Sequence, residues 1–208
     1  MSKARAPVSN AVGEATRPRR RARSSRVLGR DDWIAAARVA LIASGIESLK
    51  VELLAKALKV TVGSFYHHFR TRDELFVALL DDWEVRNNDP IFAAVAKARD
   101  AGLSPVGQFE ALWNAWVYDG LYDPAYDAAV RAWSRGSAAV KERVKAVDER
   151  RIGLMKEIYA DLGYDADRAF IRARVAYFHQ IGYEALDISE SLEQRRKFSP
   201  LYFEILLG

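Results

Sequence analysis

Between Asp31 and Trp83 apolar residues return every three or four positions, the spacing of an amphipathic helix. The first predicted helix runs from about Asp31 to Ser44, with Ile34, Ala37, Val39, Leu41 and Ile42 as its apolar face. Asp31 and Asp32 suit the positive end of its dipole, and Gly45 stops it. A second helix is predicted from Val51 to Leu58 and a third from Val62 to Phe69. The short connection Lys59-Val60-Thr61 joins them, with Thr61 as N-cap of the third helix. Phe65 and Phe69, four apart, turn inward towards Leu54 and Leu58. Thr71 followed by Glu74 is a capping box that opens a fourth helix, with Leu75, Phe76, Leu79, Leu80 and Trp83 as its stripe.

Downstream the helical period resumes between breaks at Asn87–Pro90, Gly102–Pro105, Asp119–Pro124, Gly136–Ser137, Gly163–Asp165 and Ser189–Pro200. These breaks predict about six more helices, the longest near 138–162 and 166–187, and an all-α fold.

A tight turn between the second and third of three short helices is a helix-turn-helix. Such a unit places its third helix in the DNA major groove, where each base pair shows a distinct donor and acceptor pattern. Gly63 and Ser64 are small enough to approach a backbone, and Ser64, Tyr66 and His67 carry donors.

Charge sharpens this reading. Residues 1–30 hold nine basic side chains and only Glu14 as an acid, whereas the rest of the chain is net −4. Residues 1–28 lack a hydrophobic period and are predicted to be a disordered basic tail. Two roles stay open for it: an arm adding phosphate contacts, or a solubilising segment. The same Arg- and Ser-rich, acid-poor composition is shared by organelle transit peptides.

The segments Gly45-Ile46-Glu47-Ser48-Leu49, Leu54 to Thr61, Gly63-Ser64-Phe65-Tyr66-His67-His68-Phe69 and Arg72-Asp73-Glu74-Leu75 resemble the DNA-binding domain of the TetR family. The resemblance covers about residues 31–80. It implies a helix-turn-helix domain over 29–76 and an all-helical ligand-binding and dimerisation domain over 77–208. It implies that Thr61, Val62, Gly63 and Ser64 start the recognition helix at the groove. Tyr66 and His67 would meet phosphates or base edges, and Arg72 would clamp a phosphate beside the start of the fourth helix. Lys50 stands where relatives place a capping Ser or Thr, a loss of about 1 kcal/mol, but its ammonium can reach a phosphate. Lys59 stands where the turn usually has glycine, and Glu52 on the second helix would repel phosphate or accept from cytosine.

In the second half, aromatic residues are dense. Trp113, Trp116 and Tyr122 are the preferred wall of an effector pocket, with Tyr126, Trp133, Tyr177 and His179 as aromatic or polar partners. For each, ordinary core is the competing reading. Arg131 and Arg135 are read as surface arginines or partners of an anionic ligand, and the run Lys141–Arg151 as a solvated helix face. Two apolar faces are expected to build a homodimer: Ile152, Met155, Ile158 and Tyr159 on one helix, Phe170, Ala173, Tyr177 and Ile181 on the next.

The function expected is a dimeric repressor that binds double-stranded operator DNA and is released by a small, partly apolar or aromatic effector. The alternative is an effector-independent architectural or co-regulator protein. No enzyme is expected: the chain has no cysteine, HExxH, P-loop or nucleophile elbow, and Asp81 and Asp82 are adjacent rather than paired on one face. No catalytic residue, metal or cofactor is assigned. With no long apolar run and no cysteine, the expected setting is the cytoplasm, with no membrane partner.

Overall fold

The computed structural model describes residues 28–208 except Asp187 and Ser189. The expectation of a disordered basic tail therefore lies, apart from Leu28, outside the described residues. Ten α-helices follow one another, and no strand occurs among the described residues. They are α1 (Arg30–Ser44), α2 (Val51–Leu58), α3 (Val62–Tyr66), α4 (Arg72–Asn87), α5 (Asp89–Asp100), α6 (Pro105–Val117), α7 (Pro124–Ser134), α8 (Ala138–Asp161), α9 (Ala166–Ala185) and α10 (Leu192–Leu207).

The starts of the helices are written in the sequence. Thr71, Ser104, Asp123, Ser137, Asp165 and Ser191 each accept a hydrogen bond from the backbone three residues on. Such caps satisfy donors that a helix start leaves free. Pro105 and Pro124 add a preset φ in the first turn.

Expectations for α1 and for Pro200 need correction. On α1 the buried residues are Trp33, Ile34, Ala37 and Leu41, whereas Val39 and Ile42 face solvent. The face is set by Trp33, which lies edge-on to Phe65 at 5.3 Å. Pro200 is not a break but lies inside α10. That helix is anchored from outside: its Leu206 carbonyl accepts from Tyr159 Oη and Arg172, and its Leu207 carbonyl from Tyr164 Oη.

Two apolar clusters organise the chain. The first joins α1–α4 to α7 and the first half of α8, through Trp33, Leu54, Phe65, Leu75, Leu79, Trp83, Val130, Val140 and Val147 among others. The expected boundary at residue 76 falls within α4, whose later turns pack in this same cluster. The second cluster lies among α5, α6, the second half of α8, α9 and α10, and includes Ile91, Phe109, Trp113, Trp116, Met155, Tyr159 and Tyr177.

A polar layer marks their junction. Arg151 lies one turn after Val147 of the first cluster and one turn before Met155 of the second. It is 1% exposed, against the expectation that Lys141–Arg151 forms a solvated face. The guanidinium donates from Nε to Asn88 Oδ1 at 2.8 Å, and from Nη2 to the Asn87 carbonyl and Asp127 Oδ1, both at 3.3 Å. Asp127 also accepts from Trp83 Nε1 at 3.2 Å and from Arg131 Nε at 2.6 Å. Arg131 reaches on to Asp148 at 2.7 Å. It is therefore an internal ion-pair partner rather than a surface arginine.

Candidate functional site

The α2–α3 corner is held from below. Phe65 and Phe69 are buried and stacked at 5.3 Å, so the opposite side of α3 faces outward. Backbone N–H groups of both His68 and Phe69 converge on the Phe65 carbonyl, and the helix ends at Tyr66 rather than running on to Phe69. The reason lies in the next helix. Glu74 of α4 accepts from the Arg70 N–H at 2.8 Å, while its own N–H donates to Thr71 Oγ1 at 3.2 Å. The capping box forms, with its reciprocal bond shifted one residue upstream, and it draws the chain out of α3.

Lys50, Thr61, Gly63, Tyr66, His67 and Arg72 are exposed, and Val62 and Ser64 are half-buried. Tyr66 leaves 59% of its surface free, although its ring touches Phe65 edge-on at 5.2 Å. Its root is fixed and its hydroxyl end is free to meet a partner. Thr61 stands at the N-cap position, but its side chain makes no capping bond; the Ser64 N–H bonds to the Thr61 carbonyl instead. Lys50 is likewise an N-cap without a side-chain bond.

Lys59 adopts the left-handed conformation, φ 59° and ψ 40°, the sole non-glycine residue with positive φ among the described residues. A side chain there costs roughly 1–2 kcal/mol. The turn needs that geometry, because the N–H groups of Lys59 and Val60 return to the Lys56 and Ala55 carbonyls. Two further cations lie close by. The Arg72 guanidinium sits over Phe76 at 5.0 Å and that of Arg30 over Phe69 at 4.7 Å. Arg30 was not singled out from the sequence; its signal was only its place at the end of the basic run.

This outward-facing corner, with its buried aromatic floor and its rim of cations, coincides with a family match. Residues 34–79 match the model of the bacterial regulatory proteins of the tetR family. Over these residues the chain is a member of the TetR family of transcriptional regulators. It is 28% identical over 161 residues to the HTH-type transcriptional regulator TcmR of Streptomyces glaucescens, spanning 74% of this chain and 69% of that one. Among solved structures, a transcriptional regulator from Rhodococcus sp. Rha1 aligns with a TM-score of 0.60 and 21% identity, over 86% of this chain and 92% of that one. A TetR transcriptional regulator from Legionella pneumophila aligns with a TM-score of 0.61 and 17% identity, over 78% and 88%. At these identities the two structures speak for the fold alone.

Members of this family bind DNA, and the α1–α4 unit is the part of the chain that matches the family model. In the rest of the regulator, the seven aromatic and histidine residues expected around a pocket separate into two groups. Trp113, Trp116, Tyr122 and Tyr177 belong to the second apolar cluster, with His179 stacked on Trp113 at 6.2 Å. Tyr126 and Trp133 belong to the first. The Tyr126 hydroxyl donates to the Leu79 carbonyl at 2.7 Å, and Trp133 packs edge-on against Phe76 at 5.4 Å. Those two therefore fasten α7 to α4.

The void beside Trp113 and Trp116 measures only about 10 Å³. Larger concavities are open grooves, such as that of about 870 Å³ between α1, α4 and the α6–α7 loop. Electrostatics around the void are shaped by burial. Burial, with Asp127 and Glu184 nearby, pushes the Tyr122 phenol well above its ordinary pKa. Burial likewise raises Glu184. Asp127 goes the other way: burial opposes its charge, but Arg151 and Arg131 overcome that and hold the carboxyl below its usual range.

The faces expected to pair two protomers are largely spent inside one. Met155, Ile158, Tyr159, Ala173 and Tyr177 are buried in the second cluster. Of the expected α9 face only Phe170 stays well exposed, and beside it α9 leaves Ile171, Val175 and Phe178 exposed. No helix among the described residues is long and apolar enough to cross a membrane.

Proposed function

We propose that this protein is a homodimeric repressor that binds a two-fold symmetric operator and releases it when a small molecule enters the helical body. The domains are taken as 29–76 for DNA and 77–208 for ligand and dimer. The observation that carries this is the α2–α3 corner: a recognition helix with a fixed floor and Tyr66, His67 and Arg72 on its free side.

In this reading Gly63 and Ser64 approach the groove backbone, Val62 meets an apolar base edge, and Tyr66, His67, Lys50 and Arg72 meet phosphates or bases. Thr61 lies at the entry to the groove. Arg30 joins them as a phosphate contact. The α9 stripe Ile171, Val175, Phe178 and Gly182, spaced for one helix face, pairs with its copy. Two-fold symmetry then sets the recognition helices about 34–36 Å apart, one DNA turn. The protein acts in the cytoplasm and does no catalysis.

The test is fluorescence anisotropy with an operator duplex beside sedimentation of the free protein. A dimer is expected that binds one duplex, with Val175→Glu becoming monomeric and losing affinity. A monomer that binds as tightly as the wild type refutes the dimer.

One observation favours a second reading. The void of about 10 Å³ is far smaller than ligand pockets of roughly 300–1,000 Å³. A body permanently closed in this way would belong to an effector-independent DNA-binding protein. Operator affinity that no small molecule alters would support that reading.

A further inference from the structure

The unpartnered polar atoms of the interior are not scattered. Trp113 Nε1, Trp116 Nε1, Arg151 Nη1, His179 Nδ1 and Gln180 Oε1 are buried without a hydrogen-bond partner among the described residues. Outside this neighbourhood the same is true only of Trp33 Nε1. Trp113, Trp116 and Gln180 line the same small void, and the Arg151 guanidinium lies 5.3 Å from the Trp116 ring centroid. The nearby Tyr177 hydroxyl is already engaged by Asp148 and Arg131.

Native cores rarely leave buried donors unpaired, because such groups have lost water and gained nothing. A water molecule needs about 10–15 Å³ and two to four polar partners, so one water at most fits and cannot serve all these atoms. The cluster has the chemistry of a binding site in its closed form.

The atoms also state what they would bind. Two indole N–H groups and one guanidinium N–H require acceptors; the Gln180 carboxamide oxygen requires one donor. Its own amide nitrogen is committed to Glu184 at 2.6 Å. The void is lined by the rings of Phe109, Trp113 and Trp116 and by the aliphatic side chains of Leu112, Val117 and Met155. We infer that the effector is a planar aromatic compound whose edge carries carbonyl or phenolic oxygens and at least one hydroxyl. This rests on the effector reading above.

The same site has a wire to the DNA-binding unit. Arg151 offers Nη1 to the ligand and Nη2 to Asp127, and Asp127 accepts from Trp83 of α4. An acceptor oxygen that draws Arg151 competes with Asp127 and loosens the hold on α4. Tyr122 packs on Trp116 at 5.7 Å and donates to Glu184 at 2.8 Å, so a shift of the Trp116 ring is felt there.

The test is calorimetric titration of the full chain with 1,8-dihydroxyanthraquinone, anthracene and laurate, followed by operator anisotropy with each compound. The dihydroxyanthraquinone should bind at least tenfold tighter than anthracene. Trp116→Phe keeps a ring and removes the donor; Gln180→Leu keeps the bulk and removes the acceptor. Each should weaken the dihydroxyanthraquinone about tenfold and anthracene by clearly less, in a variant that stays folded by circular dichroism. Equal affinity for the two three-ring compounds, unchanged affinity in Trp116→Phe, or no binding at all overturns the proposal. Laurate alone releasing DNA overturns the ligand class but leaves the effector reading intact. Dihydroxyanthraquinone binding that responds to Trp116→Phe without altering operator affinity upholds the site and overturns the effector reading.

Discussion

The two apolar clusters differ in what they bury. Under the helix-turn-helix the core is almost wholly hydrocarbon and aromatic: Trp33, Leu54, Phe65, Phe69, Leu75 and Leu79 meet without a charge among them. Apart from the buried Trp33 Nε1, the polar side chains of its α2–α3 corner lie outside, where a partner can reach them. The second cluster abuts a buried arginine, a buried aspartate and four indole, amide and imidazole groups without partners. A core that only has to support a surface can be made of shape alone. A core that has to respond must contain groups whose partners can be exchanged.

The polar layer between the clusters is the sharpest place to break this contrast. Asp127→Ala leaves Arg151 and Arg131 facing each other without their shared carboxylate. A loss of about 3–5 kcal/mol is expected, as for other buried pairs stripped of one partner, measured by urea unfolding. A loss below about 1 kcal/mol would mean that water reaches the layer.

Acid should act at the same point. The folded pKa of Asp127 is lowered, so its stabilisation is full above the unfolded value of about 3.9 and is lost as pH falls through the folded one. Glu184 works oppositely. Its raised folded pKa makes it a cost at neutral pH that acid relieves, so Glu184→Gln should stabilise the protein at pH 7 and not at pH 4. Unfolding curves of both variants against pH separate the two contributions.

The outer surface of the DNA-binding unit should show the reverse pattern: large effects on binding, small ones on stability. Tyr66→Ala or Arg72→Ala should weaken operator binding by about 1–3 kcal/mol while unfolding free energy stays within about 0.5 kcal/mol. Unchanged affinity in either would displace α3 from the groove. Removal of residues 1–28 should flatten the slope of log affinity against log salt, since fewer counterions are released; an unaltered slope would take the tail off the DNA. The smallest effect concerns Lys59. Lys59→Gly relieves its left-handed strain but frees the unfolded chain, for a net gain of up to about 1 kcal/mol in thermal or urea unfolding.

The sequence was most legible where local rules act alone. The bounds of α2 and the Thr71 cap follow from spacing and residue type, and the strained Lys59 turn from the family resemblance, which has glycine there. Legibility failed where a distant partner decides. Val39 and Ile42 are as apolar as Leu41, but Trp33 rotates α1 so that they face water. Arg151 reads as one more charge in a charged run until Asn88 and Asp127 arrive from other helices to bury it. For the candidate DNA-facing side, the inward aromatics leave Ser64, Tyr66 and His67 to the outward side of the third helix, whereas Lys50, Thr61, Val62 and Arg72 were named from the family resemblance. For the proposed interior site, aromatic density pointed to Trp113, Trp116 and Tyr177 but could not separate them from Tyr126 and Trp133, which pack in the other cluster against α4.

The measurement that tests the account most directly is selection of bound sequences from a random double-stranded DNA library, using the full chain. A pseudo-palindrome with half-site centres one helical turn apart, about 10–10.5 base pairs, is the result expected, with Tyr66→Ala losing the enrichment. Salt-sensitive binding without any enriched sequence would contradict a symmetric operator reader.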